Sequence, residues 1–415
     1  MDHDGCAPQC RFCREPLTIS FADLGMSPVA NAFVPRSAAF RMEPFYPLHA
    51  YVCTRCWLVQ LDVFESAENI FDDGYAYYSS YSDSWLAHAK RYVDAMTERF
   101  RFDARSQVVE IASNDGYLLQ YFKARGIAVL GIDPARGTAE VAIAKGIPTQ
   151  VDFFGTATAR GLANGGRHAD LLLGNNVLAH VPDINDFVAG MKVLLKPHGV
   201  ITMEFPHLQR LVESCQYDTI YHEHFSYLSF ATVERVFAHH GLTLFDVEEL
   251  PTHGGSLRIF ARHAQDASKP VAEHVAALRS REQHLGYEGK DLYISFAQRI
   301  KESKRCLLEF LIAAKRDGKS IVGYGAPAKG NTLLNYCGVG TDMIDYTVDR
   351  NPHKQGCLLP GTRIPIFAPE RIDATKPDYV LILPWNLTEE IVGQMAQIRS
   401  WGGRFVVPIP TVQVL

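Results

Sequence analysis

The sequence predicts an α/β protein: a small cysteine-stapled N-terminal module followed by two doubly wound parallel sheets. Three observations lead there. Two Cys-x-x-Cys pairs stand near the start of the chain. From residue 106 to about residue 245, short apolar runs alternate with helical stretches, the mark of a parallel sheet wrapped in helices. The same alternation restarts after residue 317, again from a strand that runs into a glycine-containing turn.

The bulk numbers agree. At 415 residues with 47% apolar and 21% charged residues, there is material for two or three domains. The net charge of −5 argues against a broad DNA or RNA surface. No apolar run reaches the length that spans a bilayer. The start, "MDHDGCAPQC", has no basic and apolar leader. The expectation is a cytoplasmic protein with reduced thiols and neither nucleic acid nor membrane as partner.

Residues 1–70 form the first predicted domain. Cys10 and Cys13 make one Cys-x-x-Cys and Cys53 and Cys56 the other. Four thiolates suit tetrahedral zinc, and a site with four protein ligands keeps no open position, so the metal is structural.

Residues 71–250 form the second predicted domain. After the aromatic run "YAYYSSY", "SWLAHAKRYVDAMTERF" has apolar residues at helical spacing. "QVVEIAS", "AVLGIDP", "ADLLLGNN" and "VITMEFP" read as strands, with "GYLLQYFKARG", "GTAEVAIAKG" and "INDFVAGMKVLLKPHG" as the helices between them. Ligands of such sheets bind off the carboxyl ends of the strands. That places Glu110, Ala112, Asn114 and Gly116 in the first turn, Asp133 at the end of the second strand, and Asn175, Asn176 and His180 beyond a later one. Asp133 is placed to bind ribose hydroxyls. The first turn lacks the glycines that a pyrophosphate requires. S-adenosylmethionine, with a ribose and an amino-acid tail but no phosphate, suits it better.

Residues 251–316 are read as a helical connection, and residues 317–415 as a Rossmann-like C-terminal domain. Here "GYGAPAKGN" sets Gly323, Gly325 and Ala328 in G-x-G-x-x-A spacing after a strand, with Tyr324, Ala326, Lys329 and Asn331 around them. A helix N-terminus of this kind binds phosphate. Taken alone, with Asp349 ending the next strand, it predicts NAD and an oxidoreductase. The preferred reading is the pyrophosphate of a nucleotide-linked sugar.

The two cysteine pairs, "EIASNDGYLL", "GNNVLAHVPD", "EFPH", "YDTIYHEHFSYLS", "HGGSLR" and "GYGAPAKGNTLLNYCG" cover nearly the whole chain in order. Together they resemble the S-adenosylmethionine-dependent sugar C-methyltransferases of deoxysugar and antibiotic biosynthesis. The resemblance implies a zinc-binding N-terminal domain, a central Rossmann-like methyltransferase domain and a C-terminal Rossmann-like domain. It implies methylation at C-3 of a dTDP-linked 4-keto deoxysugar, whose ketone makes the C-3 proton acidic. "SNDG" in place of the general G-x-G-x-G is this subfamily's version.

"YDTIYHEHFSYL" crowds titratable groups into one stretch. His222 and His224 are two apart, not the four apart of a zinc-binding H-E-x-x-H helix. Proton abstraction is the better use, and histidine has a suitable pKa. From the family pattern His224 is the base. Tyr221 and Glu223 position the sugar or share the proton, Tyr75 and His180 line the same cavity, and His180 is the alternative base. The role of His222 stays open.

Overall fold

The computed structural model describes residues 8–64 and 78–415. They fall into two compact units, one of residues 8–17, 53–64, 78–207 and 225–288, the other of residues 18–52, 208–224 and 289–415. No helix among the described residues is long and apolar enough to cross a membrane.

Among the described residues, the first unit carries a seven-stranded sheet. In chain order its strands are Gln107–Ile111, Ala128–Ile132, Thr149–Gln150, Ala169–Asn175, Leu195–Pro206, Leu242–Leu250 and Ser256–His263. In space they run third, second, first, fourth, fifth, seventh, sixth, and the seventh alone runs opposite to the rest. Val108, Val109, Leu171, Leu172 and Leu173 are buried, as strands covered on both faces require. The helix Asp83–Phe100 starts at Ser82, whose hydroxyl accepts from the Trp85 amide. It buries Ala89, Tyr92, Val93 and Met96 in a core shared with Phe122, Phe245 and Phe260. Ile184–Leu194 is capped by the Asp183 carboxylate, and Phe230–His239 by Ser229.

The second unit repeats the parallel pattern. Its strands Ile321–Tyr324, Thr347–Val348, Ile366–Phe367, Tyr379–Ile382, Arg404–Val407 and Gln413–Val414 run third, second, first, fourth, fifth, sixth, the last one antiparallel. The same unit holds the antiparallel pair Ile19–Ser27 and Tyr46–Val52 and the helix Lys290–Arg316.

Two boundaries differ from expectation. Residues 251–316 are not wholly a helical connection: Ser256–His263 is a strand inserted between Leu195–Pro206 and Leu242–Leu250. Its two arginines are buried, Arg258 against Glu204 and Arg262 donating to the Lys269 carbonyl. The helices Glu273–His284 and Lys290–Arg316 follow. Residues 18–52 also leave the zinc module, because Phe21 stacks on Phe296 at 4.7 Å and meets Tyr293 edge-on.

Candidate functional site

The four cysteines come together as expected. The Sγ atoms of Cys10, Cys13, Cys53 and Cys56 all lie within 4.8 Å of one another. Cys10 and Cys56 are 3.5 Å apart, and Cys13 and Cys53 3.4 Å, close to the roughly 3.8 Å that tetrahedral zinc–thiolate bonds impose. Two matching knuckles build the site: the Arg14 amide bonds to the Cys10 carbonyl and the Trp57 amide to the Cys53 carbonyl. Arg14 and Trp57 are both left-handed. The Gln60 amide donates to Cys10 Sγ at 3.2 Å. Bonds from Cys53 and Cys56 favour the Cys10 thiolate, which in return pushes Cys53 up to about 11. A dication removes that conflict, so the cluster fits structural zinc.

The first-strand turn shows how a chain lacking glycines makes a glycine turn. Ala112, Asn114 and Gly116 all have positive φ, at 56°, 50° and 75°. They are the alternate positions where G-x-G-x-G carries glycine. Asn is among the residues that tolerate this region and Ala is not. The turn is held from outside: Asn114 Oδ1 accepts from the Ser79 amide at 2.9 Å, and Asp133 Oδ2 accepts from the Asn114 amide at 2.8 Å. Asp133 also accepts from the Ala135 amide and the Thr138 hydroxyl, so most of its bonding capacity goes to the protein itself. A carbon added at Gly116 would meet Ile147 at 3.0 Å.

Glu110 is fully buried, and desolvation drives its carboxyl well above the usual range, opposed by the Tyr117 hydroxyl. Asp133 is raised for the same first reason. Asp115 is paired with Lys145 at 3.1 Å. With Glu110 favoured in its neutral form and Asp115 paired with Lys145, the turn offers carboxyl groups for ribose hydroxyls and no surplus positive charge for a pyrophosphate. The residues fit S-adenosylmethionine.

Beyond the fourth strand, Asn175 donates to the Tyr117 hydroxyl at 3.3 Å and Asn176 to His253 Nε2 at 2.8 Å. His180 ends the short turn Leu178–His180. Sequence reasoning missed the groups packed beside them. Glu204, fully buried, takes His88 at 2.9 Å and Arg258 at 2.7 Å, and Thr252 completes the set at 2.9 Å. Trp85 stacks on His88. The available signal was the pair of quoted motifs "EFPH" and "HGGSLR", which sequence reasoning left without a role.

In the second unit, residues 217–224 are neither strand nor regular helix. Tyr217–Thr219 is a single 3₁₀ turn, and the His224 amide bonds back to the Tyr221 carbonyl at 2.8 Å. The rings of Tyr221 and His224 lie 4.0 Å apart. His224 Nδ1 is 2.8 Å from the Thr219 carbonyl. A carbonyl only accepts, so Nδ1 carries the proton and Nε2 carries the lone pair in the neutral ring. His222 faces elsewhere: its Nε2 donates to the Pro47 carbonyl at 3.1 Å, its ring meets Tyr46, and burial lowers its pKa.

Both oxygens of Glu223, 5% exposed, accept from Asn31 Nδ2 at 2.8 and 2.9 Å. Burial pushes Glu223 up to about 7, against the Asn31 bond and the Lys354 charge. Asp218 is fully buried and takes the Trp385 indole N–H at 2.7 Å. Burial pushes it up to about 6, with Lys329 opposing.

The glycine turn of the C-terminal sheet differs from the expected phosphate cradle. The Gly325 amide bonds to the Val348 carbonyl, and the Ala326 amide to Asp349 Oδ2 at 2.7 Å. Asp349 Oδ1 accepts from the Asn351 amide. Those amides and that carboxylate are engaged within the protein, as Asp133 and the Asn114 amide are in the first unit. A carbon at Gly325 would strike Pro384 at 2.5 Å, so packing alone accounts for the glycine. Asn331, expected to bind substrate, is 1% exposed and donates to the Ala30 carbonyl. It ties chain segments together instead. Tyr324 lines an open cavity of about 610 Å³ with Arg350 and Gln355. Lys329 reaches Asn386 at 2.7 Å over the Trp385 ring. Tyr75 lies outside the described residues.

Three family models match consecutive stretches of the chain: a zinc binding domain over residues 10–71, a methyltransferase domain over 85–247, and a C-methyltransferase C-terminal domain over 251–410. The chain is 36% identical over 407 residues to the C-methyltransferase NovU of Streptomyces niveus, covering 98% of this chain and 96% of that one. A ubiquinone biosynthesis O-methyltransferase of Bartonella quintana (strain Toulouse) is 34% identical over 98 residues, covering 23% of this chain and 39% of the relative. Among solved structures, the PH0226 protein of Pyrococcus horikoshii OT3 aligns with 48% of this chain and 99% of its own at 14% identity. Its TM-score of 0.36 is too low to carry an argument.

Proposed function

The chain belongs to the S-adenosylmethionine-dependent C-methyltransferases, and from that membership we propose that it methylates C-3 of a dTDP-linked 4-keto deoxysugar in the cytoplasm. A carbon nucleophile must be made before a methyl group can be placed on it. The 4-ketone lets the C-3 proton leave to a base of ordinary strength and stores the charge as an enolate. S-adenosylmethionine supplies a methyl group on cationic sulfur, which the carbanion takes as the carbon–sulfur bond breaks.

His224 is the base in this reading. What supports it most is its tautomer: the Thr219 carbonyl fixes the proton on Nδ1 and leaves the lone pair on Nε2. Tyr221, its ring tilted over the same imidazole at 4.0 Å, holds it in place. Glu223, with a carboxyl brought near neutrality by burial, relays the proton. His180 is the base to test next. Glu110, Ala112, Asn114, Gly116, Asp133, Asn175 and Asn176 hold S-adenosylmethionine. Tyr324 and Lys329 hold the nucleotide part.

The test incubates the protein with S-adenosylmethionine and dTDP-4-keto-6-deoxyglucose and reads a one-methyl mass gain, with NMR locating the carbon. His224→Asn keeps the shape and lowers turnover by about 10²–10⁴-fold, the usual contribution of a general base. A label on the other carbon beside the ketone overturns the C-3 assignment. Near-native turnover of the Asn variant overturns the base.

A further inference from the structure

We infer that Lys354 is a substrate-binding residue that works with Lys329, the two ammoniums holding the diphosphate of the nucleotide-linked substrate from opposite sides of the turn at residues 325–328. This rests on the nucleotide-sugar reading proposed above and adds Lys354, to which no role has yet been given. All the residues concerned belong to the second unit.

The turn follows the strand Ile321–Tyr324. Thr347–Val348 lies on one side of that strand and Tyr379–Ile382 on the other, both parallel to it. The three carboxyl ends therefore share one edge of the sheet, where ligands of such folds bind. The amides of Gly325 and Ala326 are committed to the Val348 carbonyl and to Asp349, and proline at 327 has none. Side chains must supply the positive charge that an anion needs. Lys354 comes from the segment after Thr347–Val348, and its Nζ donates to the Ala326 carbonyl at 2.9 Å. Lys329 leans the other way, donating at 2.7 Å to Asn386, just past Tyr379–Ile382. The turn thus has one ammonium toward each neighbouring strand.

The two ammoniums are seated alike. Lys354 lies over the Phe33 ring at 5.0 Å and Lys329 over the Trp385 ring at 4.3 Å, so each has an aromatic face behind it. Each spends one N–H on a neutral oxygen, and an ammonium has three. Among the described residues neither is ion-paired to a carboxylate. The carboxyls that act on them stand farther off, Asp218 on Lys329, and Asp349 and Glu223 on Lys354. Asp349 spends its oxygens on the amides of Ala326 and Asn351. Burial pushes Glu223 up to about 7, so it is only about half ionised at neutral pH. Desolvation pulls both ammoniums below the usual lysine range. A desolvated charge with incomplete compensation is costly, and a bound anion offsets that cost. A sugar-linked diphosphate carries one negative charge on each phosphate and matches one ammonium to each. One short segment serves both the cation and the acid, since Phe33 backs Lys354 and Asn31 donates to both oxygens of Glu223. Lys354 thereby holds the diphosphate on the Glu223 side, next to the residues that carry His224.

The test compares dTDP with thymidine by calorimetry, so that only the diphosphate differs. Lys354→Met keeps the alkyl stem over Phe33 and removes the charge. It is expected to lower dTDP affinity about 10–100-fold, the loss that goes with a hydrogen bond between charged groups, while thymidine and S-adenosylmethionine affinities stay within twofold. Lys329→Met is expected to do the same, and Lys354→Arg to recover part of the loss. Unchanged dTDP affinity in Lys354→Met overturns the inference. An equal loss for thymidine also overturns it, because that marks a structural role. The nucleotide reading fails separately. UDP or ADP bound by the native protein in place of dTDP, with the same dependence on both lysines, keeps the clamp and sinks the thymidine assignment. NAD bound in preference to every nucleoside diphosphate sinks both.

Discussion

The carboxylate of Asp133 holds the backbone amide of Asn114 at 2.8 Å. In the second unit Asp349 holds that of Ala326 at 2.7 Å. In each sheet an acid at the end of the second strand clamps the turn that follows the first. The clamp is a fold device common to both, and the ligand reading depends on its surroundings. Around Asp133 stand two buried carboxyls, Glu110 favoured in its neutral form by desolvation and Asp115 paired with Lys145. Beside the Ala326 turn the Lys354 ammonium caps the Ala326 carbonyl at 2.9 Å.

Asp133→Ala is expected to weaken S-adenosylmethionine binding about tenfold to a hundredfold. Hydrogen bonds to a charged acceptor are each worth about 1.5–3 kcal/mol, and the loss of even one unclamps the turn. Isothermal calorimetry reads the affinity, and zinc content should be unchanged. NAD binding by the native protein, with no affinity for S-adenosylmethionine, would return the oxidoreductase reading.

Ala112→Gly should stabilise the protein by up to about 1 kcal/mol. A left-handed alanine costs about 1–2 kcal/mol, and the greater freedom of an unfolded glycine returns part of that. Ala112→Val should destabilise it, since branching worsens the same clash. Urea unfolding of the three proteins decides; a glycine variant less stable than native would mean that the turn needs the methyl group for packing.

Much of this was legible. The first, second, fourth and fifth strands of the methyltransferase sheet follow from apolar runs broken by glycine, and the zinc ligands from spacing alone; the two-residue third strand, Thr149–Gln150, was not foreseen. The strand Ser256–His263 was hidden because Arg258 and Arg262 look solvent-facing until Glu204 and the Lys269 carbonyl are seen to neutralise them. Glu282 was hidden in the same way. It sits in a highly charged helix, yet it is fully buried and takes His207 and the amides of Phe230 and Ala231. Asn31, the partner of Glu223, lies 192 residues from it, and no local pattern announces a contact of that length.

One zinc per chain is expected by elemental analysis. Cys53→Ser should abolish it and lower the melting temperature, since metal binding energy at a closed four-thiolate site is folding energy. Zinc removal that halts methyl transfer while the fold remains intact would contradict a structural role.

The contribution of Asp218 and Glu223 to stability should fall as pH rises from about 4 to 7. The Asp218 and Glu223 carboxyls are held by burial at about 6 and about 7, above their unfolded values. In that window the native state keeps protons that the unfolded chain has released, so the contribution is present at low pH, is lost as pH climbs through the folded values, and is level above them. Asp218→Asn removes one such group. Relative to native, the variant should gain up to about 3 kcal/mol across the window, since a carboxyl loses about 1.36 kcal/mol for each pH unit that separates its unfolded and folded pKa values. A constant difference between the two proteins from pH 4 to pH 8 would mean that Asp218 titrates normally.

Phe21 packs on Phe296, and this has a consequence for the newborn chain. Residues 18–52 emerge early, between the two halves of the metal site, but the helix they pack against is made some 240 residues later. At ribosomal rates of about 5–20 residues per second that is a delay of about 10–50 s. Zinc can close the cysteine cluster as soon as Cys56 is out, tethering both ends of a hairpin whose apolar face has nothing to cover it. During synthesis the metal therefore acts as a parking brake, limiting how far that sticky segment can stray and which neighbours on the polysome it can reach.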